Sequence, residues 1–442
     1  MDEGLIIQSA VGLLHTGKAS LPVAPGIFEP AWYITTGFPV TLPLAGVFNM
    51  FGVSLEAARL VMLAFLLSLY TVLWYYARKA IGGVAAWIGF FLLVFFGPLY
   101  GNGRNVLGEI PGLLFLLLAL VPLLQNGELT RARALWIGVW TGLAVATKPI
   151  FILFLPALFL ALFFRRTELS LKKVFIYGVL GIAVPLAFWA LFQFDDVSLS
   201  RIFAVYANPH DINVGAAVVT NIKRLFTEMQ PLYFFGALIV WATSYGIRRY
   251  WREAVSLHEE ILLFFSVLIF LTYLRTTGYY RYFFPGQVFA LLYLPQSVLY
   301  LVRGYGRIFF RGVIVCLCGL LLFHAYETAF RSWVAVHYDS TRTESLTHYF
   351  TTLPVGEEIF VYQVPEAVPF AQESAVYQYV EITPSIRAGE TYVPLILSGA
   401  IPRIITPSDF FRAHETDTFL RYMITENVDS YVILMRKSQK AQ

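Results

Sequence analysis

Between residues 57 and 330 the chain is mostly apolar, interrupted by polar links of which the longest is 194–230. A membrane-crossing helix needs about 20 consecutive, mostly apolar residues. Ten runs approach or reach that length: 57–77, 83–100, 107–124, 134–147, 149–164, 174–193, 231–247, 260–274, 283–302 and 312–330. Charged residues make up 14% of the 442, and mean hydropathy is +0.65. A soluble domain carries about 25% charged residues, so a water-soluble enzyme is excluded. The 17% aromatic content excludes a disordered chain, which lacks such residues because it buries no surface. The expected class is a polytopic α-helical membrane protein with about ten spans present. The runs 134–147 and 149–164 meet at Thr147-Lys148-Pro149 and read as two helices joined by a tight turn, or as one long broken helix. Residues 38–52, short and carrying two prolines, suit an interfacial or re-entrant piece.

Sidedness follows from lysine and arginine in the links. One alternate set holds fourteen, among them Arg78, Lys79, Arg131, Arg133, Arg165, Arg166, Lys172, Lys173, Arg248 and Arg303. The opposite set holds eight over longer segments: Lys18, Arg104, Lys148, Arg201, Lys223, Arg224, Arg275 and Arg281. The first set is read as cytoplasmic. Residues 1–55, the 194–230 link and everything beyond about 331 then face outward, across what reads as a plasma (inner) membrane. A chain that begins outside, with MDEGLIIQSA and no signal segment, implies a missing first span, through a late start or a fragment. The alternative is an outward N-terminus translocated without a signal.

Beyond about residue 340 charge rises and apolar runs shorten. EEIFVYQV, PRIITP and DSYVILMR read as strands and DTFLRYMITENV as a helix, giving a small α/β extracytoplasmic domain. The expected division is an outer loop with interfacial helices over 1–55, a transmembrane domain over 56–330 and the α/β domain over 331–442. The net charge of +4 gives no argument for a nucleic-acid partner. Cys316 and Cys318 form no zinc or disulfide pattern, and His15, His210, His258 and His324 have no ligand spacing. No phosphate-binding glycine loop is present, which argues against an ATP-driven pump.

Four places carry candidate chemistry. Asp2-Glu3 open a segment whose spacing of Leu5, Ile6, Leu13 and Leu14 predicts an amphipathic helix at the interface. The pair reads as a general base or metal ligand for an acceptor, or as a solvated terminus. Glu109 opens an outer helix start, where an ionisable group is a functional candidate. It is equally an acid favoured by the helix dipole and paired with Arg104. Lys148 binds a phosphate as a point charge or only snorkels to headgroups. In Arg275-Thr-Thr-Gly-Tyr-Tyr-Arg281-Tyr282, arginine forks match phosphate oxygens, while tyrosines also suit an interface belt. Acids that deprotonate an acceptor, beside cations that stabilise a departing phosphate, suggest sugar transfer from a lipid-linked phosphate at the outer face.

This order of elements resembles the GT-C superfamily of integral-membrane glycosyltransferases, and most closely the branch of protein O-mannosyltransferases and lipid A aminoarabinose transferases. The resemblance covers nearly the whole chain. It rests on Asp2-Glu3 followed by HTGK; on TLPLAGVFNMFGVSLEAARL with Pro43, Phe51-Gly52 and Arg59; and on Glu109-Ile-Pro111, Thr147-Lys148, and Arg281-Tyr282 with Pro285. It implies an inverting transfer from a polyprenyl-phosphate sugar to a lipid, glycan or protein acceptor. Asp2 would be the base, with Glu3 beside it, and Glu109 would assist at the acceptor or at a possible divalent cation. Lys148 and Arg281, with Tyr282 and Arg104, would hold the donor phosphate. Glu109 stands where some branches carry Asp. The other classes left open are a lipid-linked saccharide flippase and a membrane-anchored cell-envelope assembly protein.

Overall fold

The computed structural model describes residues 2–125, 130–165, 171–194, 197–198, 200–202, 206, 208, 212–336, 342–371, 374–383 and 386–437. Arg166 and His210, with the side chains of Lys172 and Lys173, lie outside this set. The chain forms two compact units. One comprises Met1–Val61, Trp189–Asp211 and Asp339–Gln442; the other comprises Met62–Phe188 and Ile212–Tyr338.

The second unit is helical, and every apolar run of the sequence carries helix. Leu55–Ala80, Ile176–Gln193, Leu257–Leu274 and Arg307–Arg331 are each long and apolar enough to cross a bilayer. Two bent pairs raise the number to six: Gly83–Val94 with Gly97–Arg104, bent by 52°, and Val214–Thr227 with Met229–Tyr250, bent by 86°. Three of the other runs form the shorter helices Glu109–Leu120, Arg131–Thr147 and Phe154–Arg165, each with a proline-bearing 3-10 turn at one end, and the run 283–302 forms helix Phe284–Leu301. Lys148 leaves helix Arg131–Thr147 in an extended conformation (φ −154°, ψ 120°), as a residue before proline prefers. A short 3-10 turn at Pro149–Leu153 then leads into helix Phe154–Arg165. The tight turn read from the sequence is therefore present.

Helices Glu109–Leu120 and Phe284–Leu301 are buried along nearly their whole length, the behaviour of a helix apolar on every side. Their leucines and phenylalanines form one core with Tyr76, Phe151, Phe265 and Trp241. Where helix Arg131–Thr147 crosses Leu171–Gln193, Gly138 faces Gly178 and Gly181, and Gly142 faces Ile182 and Pro185. A Cβ on Gly181 would lie 2.6 Å from the Leu135 carbonyl oxygen and 2.9 Å from the Gly138 Cα. Small residues allow this approach, and packing rather than the hydrophobic effect drives association of helices in lipid. The basic link residues Arg165 and Arg248 are held in ion pairs. Arg165 Nε lies 2.7 Å from Glu260 Oε2, and Arg248 pairs with Glu259, which also accepts from Trp241 Nε1 at 3.2 Å.

In the first unit, helix Asp2–Thr16 ends at Gly17, whose φ of +73° suits glycine. The sequence predicted an interfacial amphipathic helix, but the helix is buried on its polar side as well. Gln8, opposite the stripe of Leu5, Ile6, Ser9, Ala10, Leu13 and Leu14, is as enclosed as Ala10 on it. Gly4 and Gly12 permit this, since a Cβ on Gly4 would come within 2.6 Å of the Glu366 backbone. Gln8 Nε2 donates to the Pro365 carbonyl at 2.6 Å, and Gln8 Oε1 accepts from Gln378 Nε2 at 2.6 Å.

Strands β1 (Ser20–Ala24) and β2 (Ile27–Pro30) form a hairpin. The tail forms a six-stranded mixed sheet from β3 (Glu358–Tyr362), β4 (Ala375–Thr383), β5 (Ile386–Ala388), β6 (Arg403–Pro407), β7 (Tyr422–Val428) and β8 (Tyr431–Arg436). Its order is β5-β4-β3-β6-β8-β7, with β3 parallel to both β4 and β6. The strands expected in EEIFVYQV, PRIITP and DSYVILMR are β3, β6 and β8. The helix expected in DTFLRYMITENV is corrected: Tyr422–Val428 is an edge strand, antiparallel to β8. The two-residue turn at Asp429-Ser430, with Asp429 at φ 56°, closes that hairpin, and cross-strand pairing outweighs the helix propensity of the segment.

Candidate functional site

The acidic pair begins helix Asp2–Thr16, where partial positive charge from the unsatisfied N–H groups favours carboxylates. Both side chains are half-buried. Glu3 Oε2 lies 3.6 Å from Arg59 Nη2. Arg59 stands in the first turns of Leu55–Ala80, a helix start capped by Ser54, whose Oγ accepts from the Ala57 amide at 3.1 Å. The Arg59 Nε–H is buried and has no acceptor among the described residues. The guanidinium is thus held by a carboxylate on one edge and unsatisfied on another, and it can take an anion. In the sequence Arg59 is a motif residue with no evident partner.

In the helical unit, Glu109 and Lys148 come together. Glu109, 1% exposed, is the first residue of its helix, and Lys148 follows the last residue of another. Lys148 Nζ lies 3.2 Å from Glu109 Oε1. The partner considered from the sequence, Arg104, is not the one found: among the described residues Arg104 makes no ion pair. Arg104 ends helix Gly97–Arg104 and is half-buried. Glu109 Oε2 is buried without a hydrogen-bond partner among the described residues. One carboxylate oxygen is therefore engaged and the other needs a donor. Lys148 carries three N–H donors and spends one on Glu109, which leaves capacity for a phosphate oxygen.

Arg281 and Tyr282 lie on a short 3-10 turn, Tyr280–Tyr282, just before helix Phe284–Leu301. The Arg281 guanidinium is 5.6 Å from the ring centres of both Tyr279 and Tyr282. The two ring centres are 6.1 Å apart, so both rings lie on one side of the cation, within reach of a cation–π attraction. The loop that delivers this turn depends on Gly278 at φ +81°. It is held by Asn221, Arg224 and Glu228, of which sequence reading noticed only the charge of Arg224. Asn221 and Arg224, three residues apart, share one face of helix Val214–Thr227, and Glu228 follows at its C-cap in extended conformation; the helical spacing of the first two was a readable signal. Their partner loop, some 50 residues further on, was not readable. Among the described residues no three His, Cys, Asp or Glu side chains cluster in a way that could hold a metal ion.

Residues 39–191 match the family model described as dolichyl-phosphate-mannose-protein mannosyltransferase. Two solved structures of ArnT from Cupriavidus metallidurans share the fold. The one bound to undecaprenyl phosphate covers 100% of this chain and 94% of its own, at TM-score 0.63 and 11% identity. The apo form covers 98% and 93%, at TM-score 0.64 and 13% identity. The oligosaccharyltransferase of Archaeoglobus fulgidus, in complex with Zn and sulfate, covers 94% of this chain and 65% of its own, at TM-score 0.54 and 12% identity. The chain has a GT-C fold. It is an integral membrane protein of that architecture. No curated protein matches it by sequence. The family match spans Arg59, Arg104, Glu109 and Lys148 but neither Asp2-Glu3 nor Arg281-Tyr282, so within the GT-C fold these last four stand on the geometry above.

Proposed function

We propose that this GT-C protein transfers a sugar from a polyprenyl-phosphate carrier to an acceptor at the extracytoplasmic face of the plasma membrane. The carrying observation is the likeness, over the whole chain, to a transferase fold solved with undecaprenyl phosphate bound. The residues suit the chemistry. An acceptor O–H or N–H attacks the anomeric carbon, the carbon–oxygen bond to phosphate breaks, and polyprenyl phosphate departs with one more negative charge. Asp2, with Glu3 beside it, takes the acceptor proton. Lys148 and Arg281, with Tyr282 and Arg104, bind the phosphate and offset its growing charge, where preorganised cations are worth most. Glu109 holds Lys148 with one oxygen and offers the other to an acceptor N–H or O–H. A single displacement inverts the sugar configuration. The acceptor is a lipid, a glycan or a protein.

The test is reconstitution of the full chain in vesicles with polyprenyl-phosphate hexose or pentose donors and each acceptor class. Release of polyprenyl phosphate that depends on an acceptor supports the reading. Intact donor moved across the bilayer, with no phosphate released, identifies a flippase instead.

A further inference from the structure

Helix Val214–Thr227 is amphipathic in an informative way. Val219, Ile222 and Phe226 are exposed, as in a helix lying on a bilayer surface, and the helix bends by 86° from the one that follows. Its buried face is given to Asn221 and Leu225. Asn221 Nδ2 donates to the carbonyls of Tyr273 (3.2 Å), Leu274 (3.2 Å) and Thr276 (2.8 Å). These carbonyls lie at the end of helix Leu257–Leu274 and in the turn after it, where the Tyr273 carbonyl also accepts from the Thr276 amide (3.0 Å) and hydroxyl (2.8 Å). Arg224 Nη1 donates to the Gly278 carbonyl at 2.6 Å, and its Nε donates to Glu228 Oε1 at 2.7 Å. Glu228 Oε2 accepts from the Tyr280 hydroxyl at 2.7 Å, and the Arg224 guanidinium lies 5.5 Å from the Tyr280 ring centre. One helix face and the C-cap residue that follows it therefore fix the loop at residues 273, 274, 276, 278 and 280. The next residue is Arg281.

We propose that Asn221, Arg224 and Glu228 are positioning residues for donor binding. They hold the Thr276–Tyr282 loop so that Arg281 is presented to the donor phosphate, and they do not touch the donor themselves. This rests on the donor role given to Arg281 above. The lattice has a clear physical function, because a loop carrying a phosphate-binding arginine must otherwise lose its freedom when the donor binds, at a cost in affinity.

The experiment is initial-rate kinetics of the full chain in vesicles, varying donor and acceptor separately, for Glu228→Ala, Glu228→Gln, Arg224→Lys and Arg281→Ala. Glu228→Ala is expected to raise the donor KM about tenfold, the scale of one lost charge-assisted hydrogen bond. The acceptor KM and the pH profile of kcat should stay unchanged. Glu228→Gln, which keeps an acceptor for the Tyr280 hydroxyl, should recover most of the donor affinity. Arg224→Lys, which loses the fork joining Gly278 to Glu228, should not. Hydrogen exchange of the amides at 276–282 should quicken in Glu228→Ala and Arg224→Lys. A wild-type donor KM in Glu228→Ala, with donor affinity lost in Arg281→Ala, overturns the positioning role alone. Wild-type kinetics in Arg281→Ala removes the donor role from the loop, and the positioning role with it.

Discussion

At the scale of single residues, Glu109 and Lys148 stand out separately in the sequence, and the structure joins them in a buried ion pair. Apolar sequence on both sides of each residue made an ionisable group there conspicuous. Their pairing was not legible, because it depends on one helix starting beside the end of another 38 residues further on. Removing one member of a buried pair leaves an uncompensated charge, whereas removing both need not destabilise. Lys148→Met should therefore lower the unfolding free energy of the detergent-solubilised protein by about 3 kcal/mol. Adding Glu109→Gln in the same chain should restore most of it. Equal losses in the single and the double variant would show that the pair is not coupled. Arg59 teaches the same lesson: its residue type and place in the chain drew notice, but its contact with Glu3 came only from the folding of residues 1–61.

At the scale of elements, apolar length located most helices of the apolar region, because burial in lipid needs little beyond that pattern; it missed helix Val214–Thr227, which lies in the stretch read as an outward link. It did not give the helix ends, which glycine and proline set, nor how the helices cross. The crossing at Gly138 and Gly181 yields a prediction. Gly181→Ala forces a methyl group against the Leu135 carbonyl oxygen and the Gly138 Cα, which should cost about 1–3 kcal/mol in thermal unfolding. At Gly319, in helix Arg307–Tyr326, an added Cβ meets nothing within 4 Å. Gly319→Ala should leave the melting temperature unchanged or slightly raised. Equal effects at the two sites would contradict the packing described. In the tail, strands with continuous apolar runs were legible, and β7 was not. Its burial pattern is that of an exposed edge, so its sequence carries no alternation, and only pairing with β8 makes it a strand.

At the scale of the whole molecule, the order of motifs along the chain carried the fold. Acidic start, proline-bearing helix, outer glutamate, lysine before proline and late arginine-tyrosine turn together pointed to a GT-C architecture, and the full-length likeness to ArnT agrees with it. The reaction proposed for that architecture places the base at the first residues of the first helix. The most direct test is the Asp2→Asn variant of the full chain, reconstituted beside wild type, with acceptor-dependent release of polyprenyl phosphate as the readout. Loss of a general base costs about 100-fold or more, so release should fall at least that far. Donor binding and the melting temperature should stay at wild-type values. Release within a few-fold of wild type would remove Asp2 from the chemistry and contradict the account at its centre.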